Sequence, residues 1–218
     1  MNRSSPVART SEILFVTTLC FGWSIVISVV SVMSGFQAGT VTDAAMFEGI
    51  ATELLLGAVA LGFLRSRRYD LALLKPAPTT MGSLTGLALF AAATVAALAL
   101  KAIFAGGDTS AQAPDQLVAG AAISLAPMIA LSIINALYEE TFLVGFLQRA
   151  LGGHGAAFAI GASLLVRISY QLFLGPAGVA YTLGFGIVLS LYFLRTGKLW
   201  PVVMAHTLDN LRSLIVLV

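Results

Sequence analysis

Two adjacent glutamates in the second half of the chain have the side chains needed for acid–base chemistry. Glu139 and Glu140 lie in the apolar stretch YEETFLVGFLQRAL. Successive residues of a helix point about 100° apart, so one carboxylate can face a cavity while the other orients its partners. A carboxylate within hydrogen-bond reach can act as a general base on water. The alternative is a structural pair that is hydrogen-bonded to a neighbouring helix or lies at a membrane interface.

A second polar group lies in LWPVVMAHTLDNL, near the end of the chain. The i,i+4 spacing puts His206 and Asn210 on one helix face, with Asp209 close by. A histidine can hydrogen-bond a water or an oxyanion, and an asparagine can do so without adding charge. The alternative is an interhelical hydrogen bond, which membrane bundles use commonly.

Further polar residues interrupt apolar stretches, where an ionisable group is costly and marks a functional hypothesis. Asp209 and Arg212 are three residues apart and are expected to pair. Glu53 lies in the first half of the chain and is expected to meet a polar residue of another helix, with a role in a proton path as the alternative. The other residues of this kind are Asn135, Arg167 and Gln171.

The composition makes a bilayer the natural solvent for this chain. Of its 218 residues, 58% are hydrophobic and only 10% are charged, against about 25% charged residues in ordinary soluble domains. So few charges exclude a soluble globule and a disordered tail. The net charge of +2 and the lack of a long basic run exclude nucleic-acid binding. The single cysteine, Cys20, excludes a disulfide framework and a cysteine-based metal site.

The sequence predicts an all-α, polytopic membrane helix bundle of about seven spans, forming one integral-membrane domain over residues 1–218. A spanning helix needs roughly 20 mainly apolar residues. The stretch 117–149 is too long for one straight span, so it tilts, breaks at Pro127 or includes an interfacial turn. The predicted spans are 12–34, 46–64, 81–104, 117–149, 155–174, 178–194 and 199–217.

Basic residues mark one side of the predicted bundle. Their clusters alternate as the positive-inside rule requires for a cytoplasmic N-terminus, and the loop 106–116 carries two aspartates and no basic residue. Lys101 is the exception, and it lies close enough to a helix end to snorkel. Glu139 lies about 15 Å along a helix from Arg149, and His206 lies about 12 Å from Lys198. We therefore expect the carboxylate and the imidazole to share one layer in the cytoplasmic half of the bilayer.

This arrangement resembles the CPBP family, which comprises the type II CAAX prenyl proteases, the bacteriocin-processing (Abi) proteins and their relatives. Its members carry EExxxR, FxxxH and HxxxN or HxxxD on three helices of a membrane bundle. The glutamate pair matches the first motif, and His206 with Asn210 matches the third. The resemblance covers about residues 126–211, the motif-bearing core.

Two positions depart from the family pattern. Val144 replaces the arginine of the first motif, and Gln171 replaces the histidine of the second. Arg167 occupies the phenylalanine position of the second motif, as in some bacterial members, in a tract RISYQLFLGP that resembles RxSYHxxxGP. We expect Arg167 to compensate for the missing arginine by pairing with Glu140 from another helix.

The resemblance implies intramembrane peptide hydrolysis by a glutamate-activated water. Glu139 is then the general base, Glu140 positions it or pairs with a cation, and His206 with Asn210 binds the water or the oxyanion. Gln171 takes the place of the second histidine; Arg167 and Asp209 have supporting roles. Neither a metal nor another cofactor is expected, since HExxH is absent.

The expected partners are the lipid bilayer and a membrane-associated or lipid-modified peptide substrate, and the expected location is a bacterial inner membrane. Two alternatives stay open. Glutamine cannot take a proton at neutral pH, so a CPBP-like scaffold or binding protein with little or no activity is the first. A small proton-coupled transporter that uses the Glu139 layer is the second.

Overall fold

Long apolar helices make up most of the molecule. The computed structural model describes residues 8–36, 39–104, 117–119 and 123–215. The predicted acidic loop 106–116 lies outside these residues. The helices are α1 (Thr10–Met33), α2 (Asp43–Ser66), α3 (Thr80–Phe104), α4 (Leu125–Glu140), α5 (Arg149–Leu151), α6 (Ala156–Gln171), α7 (Gly175–Thr196) and α8 (Leu199–Ile215).

The predicted fold class, an all-α polytopic membrane bundle, is confirmed. Within the described ranges, five helical stretches are long and apolar enough to cross a membrane, against about seven predicted spans. The counts differ for two reasons. The 41-residue stretch Ala156–Thr196 holds both α6 and α7 and counts once. Helix α8 has 17 residues, or about 25 Å, which is shorter than a bilayer core of about 30 Å.

The segment predicted as one long span over 117–149 has a different structure. Leu117–Ala119 forms a short strand, β2, that pairs in parallel with β1, Gly39–Val41. Helix α4 begins only at Leu125, and Pro127 lies in its first turn, where a residue without a backbone N–H is tolerated. The helix does not break at this proline, because the first-turn N–H groups have no intrahelical partner.

Helix α4 continues beyond Glu140 as a π-helical segment, Thr141–Gln148, before the short helix α5. A π-helix has i→i+5 hydrogen bonds and is often found at functional sites. Every residue of this segment except Thr141 is buried. The π-helical segment is therefore almost completely enclosed by protein.

Helix α4 lies at the centre of the packing, with α2 on one side and α8 on another. Two apolar clusters flank it. The first joins α1, α2 and the π-helical segment through Phe21, Leu64 and Phe146. The second joins α3, α7 and α8 through Ala97 and Leu189, among others. Polar side chains at the end of α4 are thereby held between α2, α6 and α8.

Candidate active site

Glu140 is fully buried at the end of α4 and has two cationic or cation-forming partners. Its Oε1 accepts a hydrogen bond of 2.6 Å from Arg167 Nη2 on α6. The same oxygen lies 2.6 Å from His206 Nδ1 on α8. The predicted pair between Arg167 and Glu140 is therefore confirmed. Glu140 Oε2 has no hydrogen-bond partner among the described residues.

Glu139 is buried beside it and accepts hydrogen bonds on both oxygens. Its Oε1 accepts from Asn135 Nδ2 at 3.1 Å, and its Oε2 accepts from the hydroxyl of Tyr170. Arg167 Nη1 lies 3.6 Å from Oε2, and His206 Nε2 lies 4.0 Å from it. Glu140 and His206 are 66 residues apart in the sequence. In the structure they belong to the same cluster, so the first and third motifs meet.

Arg167 links the two carboxylates. One of its terminal nitrogens faces Glu139 and the other faces Glu140, which is the forked geometry that a guanidinium offers. Burying a carboxylate without a partner costs several kcal/mol or more. The guanidinium therefore offsets the cost of bringing two glutamates together inside an apolar bundle.

Val144, at the arginine position of the first motif, is fully buried and belongs to the apolar cluster of α3, α7 and α8. An arginine there would replace apolar packing with a charge. Arg167 provides the cation from α6 instead. The exchange explains how Glu140 stays paired without the arginine of the motif.

Asn135 connects Glu139 to two further polar residues. Its Nδ2 donates to Glu53 Oε1 on α2 at 2.6 Å, and its Oδ1 accepts from Asn210 Nδ2 on α8 at 2.9 Å. The expectation that Glu53 meets a polar residue of another helix is confirmed. Asn210 reaches the glutamate cluster through Asn135 rather than by direct contact.

Asp209 belongs to a separate polar group. Its Oδ1 accepts hydrogen bonds from Arg212 Nη2 at 2.9 Å and from the Tyr181 hydroxyl at 2.6 Å. The predicted pair between Asp209 and Arg212 is confirmed. Among the contacts of the described residues, Asp209 has no hydrogen bond or ion pair with Glu139, Glu140 or His206, so any support it gives them is indirect.

A cavity of about 450 Å³ adjoins the glutamate cluster. Among the residues that line it are Glu53, Arg167, His206, Asn210 and Gln171. Gln171, at the end of α6, has no side-chain hydrogen bond with any residue that the structure describes. Glu139 lies behind this lining, within 4.0 Å of His206.

Tyr170 is the site residue that the sequence reasoning missed. It is buried, donates to Glu139 and stacks on Phe21 of α1, with 5.3 Å between the ring centroids. A signal for it exists, since Tyr170 follows Arg167 by three residues and thus lies on the same face of α6.

No group of three or more His, Cys, Asp and Glu side chains within the described ranges is arranged to hold a metal ion. The donors present are two carboxylates and one imidazole whose Nδ1 contacts Glu140. In this cluster the Glu140 carboxylate hydrogen-bonds Arg167 and His206, and the Glu139 carboxylate hydrogen-bonds Asn135 and Tyr170.

Comparison with known families identifies the segment that carries the glutamates and the histidine. The family model for the type II CAAX prenyl endopeptidase Rce1-like proteins matches residues 121–212. This match confirms the resemblance for that segment, which contains both glutamates, His206 and Asn210. No curated protein and no solved structure matches the chain significantly. The chain is an integral membrane protein with a segment of the CAAX-protease type.

Proposed function

We propose that the protein is an intramembrane endopeptidase of the CAAX-protease and Abi-like type. It hydrolyses a peptide bond of a membrane-associated peptide, prenylated or not, with a water activated by Glu139. The observation that carries the proposal is the convergence of Glu139 and His206, on α4 and α8, to 4.0 Å beside a cavity of about 450 Å³. A water can hydrogen-bond to both atoms at this separation, since normal O···O and N···O distances are about 2.7–3.0 Å.

Glu139 acts as the general base. The water oxygen attacks the carbonyl carbon while Glu139 Oε2 takes the proton. The carbon–nitrogen bond then breaks, the proton passes to the leaving nitrogen, and the products are a carboxylic acid and an amine. Tyr170 and Asn135 hold the carboxylate in position through its two oxygens. Base catalysis of this kind contributes about 10²–10⁴-fold in rate.

Glu140 acts through His206. A carboxylate can only accept a hydrogen bond, so the hydrogen on His206 lies on Nδ1. Nε2 is thereby directed at Glu139; in the neutral imidazole it accepts a hydrogen bond from the water, and it donates to the oxyanion only after it has gained a proton. Arg167 keeps Glu140 paired, so the orientation of the imidazole depends on α6 as well as on α4.

Asn210 and Gln171 provide neutral hydrogen-bonding groups on the cavity lining. Gln171 can donate to an oxyanion without carrying charge. The Asn210 nitrogen already donates to Asn135 Oδ1 and to the Ser132 carbonyl oxygen, so it would have to release one of these to do the same. Gln171 occupies the position of the second histidine and orients the substrate or water without exchanging protons. A site that relies on Gln171 in this way is slower than one with a histidine there.

The position of the site in the bundle supports a substrate that is associated with the membrane. The cavity lies among apolar helices, so the scissile bond belongs to a peptide anchored in or on the bilayer. The membrane is a bacterial inner membrane with the N-terminus in the cytoplasm. The positive-inside distribution of basic residues supports this orientation.

The test is cleavage of a prenylated peptide and of a single-span reporter in proteoliposomes. We expect Glu139→Gln to lower kcat/KM by about 10²–10⁴-fold while the melting temperature in detergent is retained. Glu48→Gln is the matched control, since Glu48 is an exposed carboxylate on α2. Equal cleavage by the wild type and Glu139→Gln would contradict the proposal.

A binding protein of the same architecture with little activity is the second candidate. Gln171 favours it, because its side chain has no hydrogen bond to the glutamate cluster among the described residues. Gln171→His distinguishes the two: a weakened protease should gain turnover, on the order of 10-fold. An inactive wild type that stays inactive with this histidine supports the binding protein.

A further inference from the structure

Glu53 lies on α2, outside the family-matched segment, yet its carboxyl group belongs to the hydrogen-bonded network of the site. Its Oε1 accepts a hydrogen bond of 2.6 Å from Asn135, and its side chain lines the same cavity as His206 and Asn210. Nothing in the two matching motifs involves this residue.

Asn135 has both of its side-chain N–H donors in use and accepts one hydrogen bond on its oxygen. A primary amide has two N–H donors and one carbonyl oxygen. The nitrogen faces two carboxylates, Glu53 at 2.6 Å and Glu139 at 3.1 Å, while the oxygen accepts from Asn210 at 2.9 Å. A rotated amide would point its oxygen at both carboxylates. The acceptor on Glu53 therefore fixes the direction in which Asn135 donates to Glu139.

A purely structural role explains Glu53 poorly. Its Oε2 is buried without a hydrogen-bond partner, and no Lys, Arg or His nitrogen of the described residues lies within 4.0 Å of its carboxylate. Such a group is costly inside an apolar span. A neutral acceptor would satisfy the same N–H of Asn135 at lower cost. The carboxylate instead provides the strongest acceptor for that N–H.

We propose that Glu53 is a positioning residue of the site, which acts through Asn135 to hold the Glu139 carboxylate with its Oε2 directed at His206. Asn135 holds Oε1 of Glu139, and this contact leaves Oε2 facing Tyr170 and His206. The inference rests on the proposed function, since it gives Glu53 a part in activating the water.

The first test measures kcat and KM separately in proteoliposomes. Glu53→Leu removes the acceptor, so kcat should fall roughly 10-fold, because a small misplacement of a catalytic group costs about this much or more. KM should stay within about twofold, because Glu53 acts on Glu139 and not on the substrate. Glu53→Gln keeps an acceptor oxygen but a weaker one, so its kcat should lie between that of the wild type and that of Glu53→Leu.

A control variant, melting temperatures and the conservative variant separate a loss of positioning from a loss of folding. Glu48→Leu removes an exposed carboxylate from the same helix and should leave kcat unchanged. Melting temperatures show whether each variant is folded. If Glu53→Leu does not fold, Glu53→Gln alone decides, since a 10-fold lower kcat in this folded variant would contradict a role as hydrogen-bond acceptor.

The second test is a double-mutant cycle with Asn135→Leu. If Glu53 acts through Asn135, adding Glu53→Leu to Asn135→Leu should lower kcat no further. Equal effects in both backgrounds would overturn the proposal, as would full activity of Glu53→Leu alone. A wild type that cleaves neither reporter would refute the proposed function and this role with it, whereas an active wild type with an equally active Glu53→Leu refutes only the role of Glu53.

Discussion

The first three helices and the stretch from α4 to α5 encode their structure in different ways. In the most apolar windows of α1, α2 and α3, only 22%, 17% and 17% of the residues are buried, against 56% in Leu125–His154. The first three helices expose large apolar side chains, which suit lipid. The central stretch is surrounded by protein and carries both glutamates. Composition therefore determines the outer helices, and specific partners determine the central one.

The largest expected effect comes from breaking the central charge pair. Arg167→Leu leaves Glu140 buried without its guanidinium, which should lower the free energy of unfolding by about 3–5 kcal/mol. Denaturation in detergent micelles measures it. Arg212→Leu is the control: that side chain is 40% exposed, so its loss should cost under about 1 kcal/mol. Similar losses in both variants would contradict the difference between buried and exposed pairs.

A smaller effect is expected where two helices approach closely. A Cβ at Gly184 on α7 would lie 2.8 Å from Ala96 O and from Ala97 Cα on α3. Gly184→Ala must therefore push backbone apart and should destabilise by about 1–3 kcal/mol. At Gly62 on α2 an added Cβ meets nothing within 4 Å, so Gly62→Ala should stabilise by about 0.5–1 kcal/mol. Thermal unfolding of both variants checks the opposite signs.

The smallest effect is expected on the lipid-facing side. Leu55 on α2 is 65% exposed, so Leu55→Ala should change stability by no more than about 0.5 kcal/mol. Leu143 in the π-helical segment is fully buried, and Leu143→Ala should cost about 2–5 kcal/mol. Comparable losses at the two leucines, measured by denaturation, would remove the distinction between outer and central helices.

The sequence predicted those features whose absence would carry a large free-energy penalty in the membrane. Apolar runs predicted the long helices, because only a helix satisfies its backbone within lipid. The pair of Arg167 with Glu140 was predictable because a buried charge requires a partner. The same reasoning led to Glu53 meeting a polar residue, which is Asn135.

Other features were not predicted, because no unpaired charge or unsatisfied backbone group in the sequence required them. The i,i+3 spacing puts Tyr170 on the same face of α6 as Arg167, but its hydroxyl is neutral, so no buried charge required it to face Glu139. The strand pairing of Leu117–Ala119 with Gly39–Val41 depends on a contact between distant segments. The apolar composition of 117–149 therefore predicted one helix, and the prediction was wrong at its beginning, since α4 begins at Leu125. The functional roles of the site residues stay predictions.

The π-helical segment after Glu140 also limits how this chain could change. In a π-helix the residue five positions on, not four, returns to the same face. Gly145 therefore lies over Glu140, and a Cβ built there would lie 3.5 Å from the Glu140 carbonyl oxygen. Val144 packs in the apolar cluster of α3, α7 and α8, so Val144→Arg would put a second cation into apolar packing. The guanidinium that pairs with Glu140 comes from α6, through Arg167, and this pair ties the end of α4 to that helix.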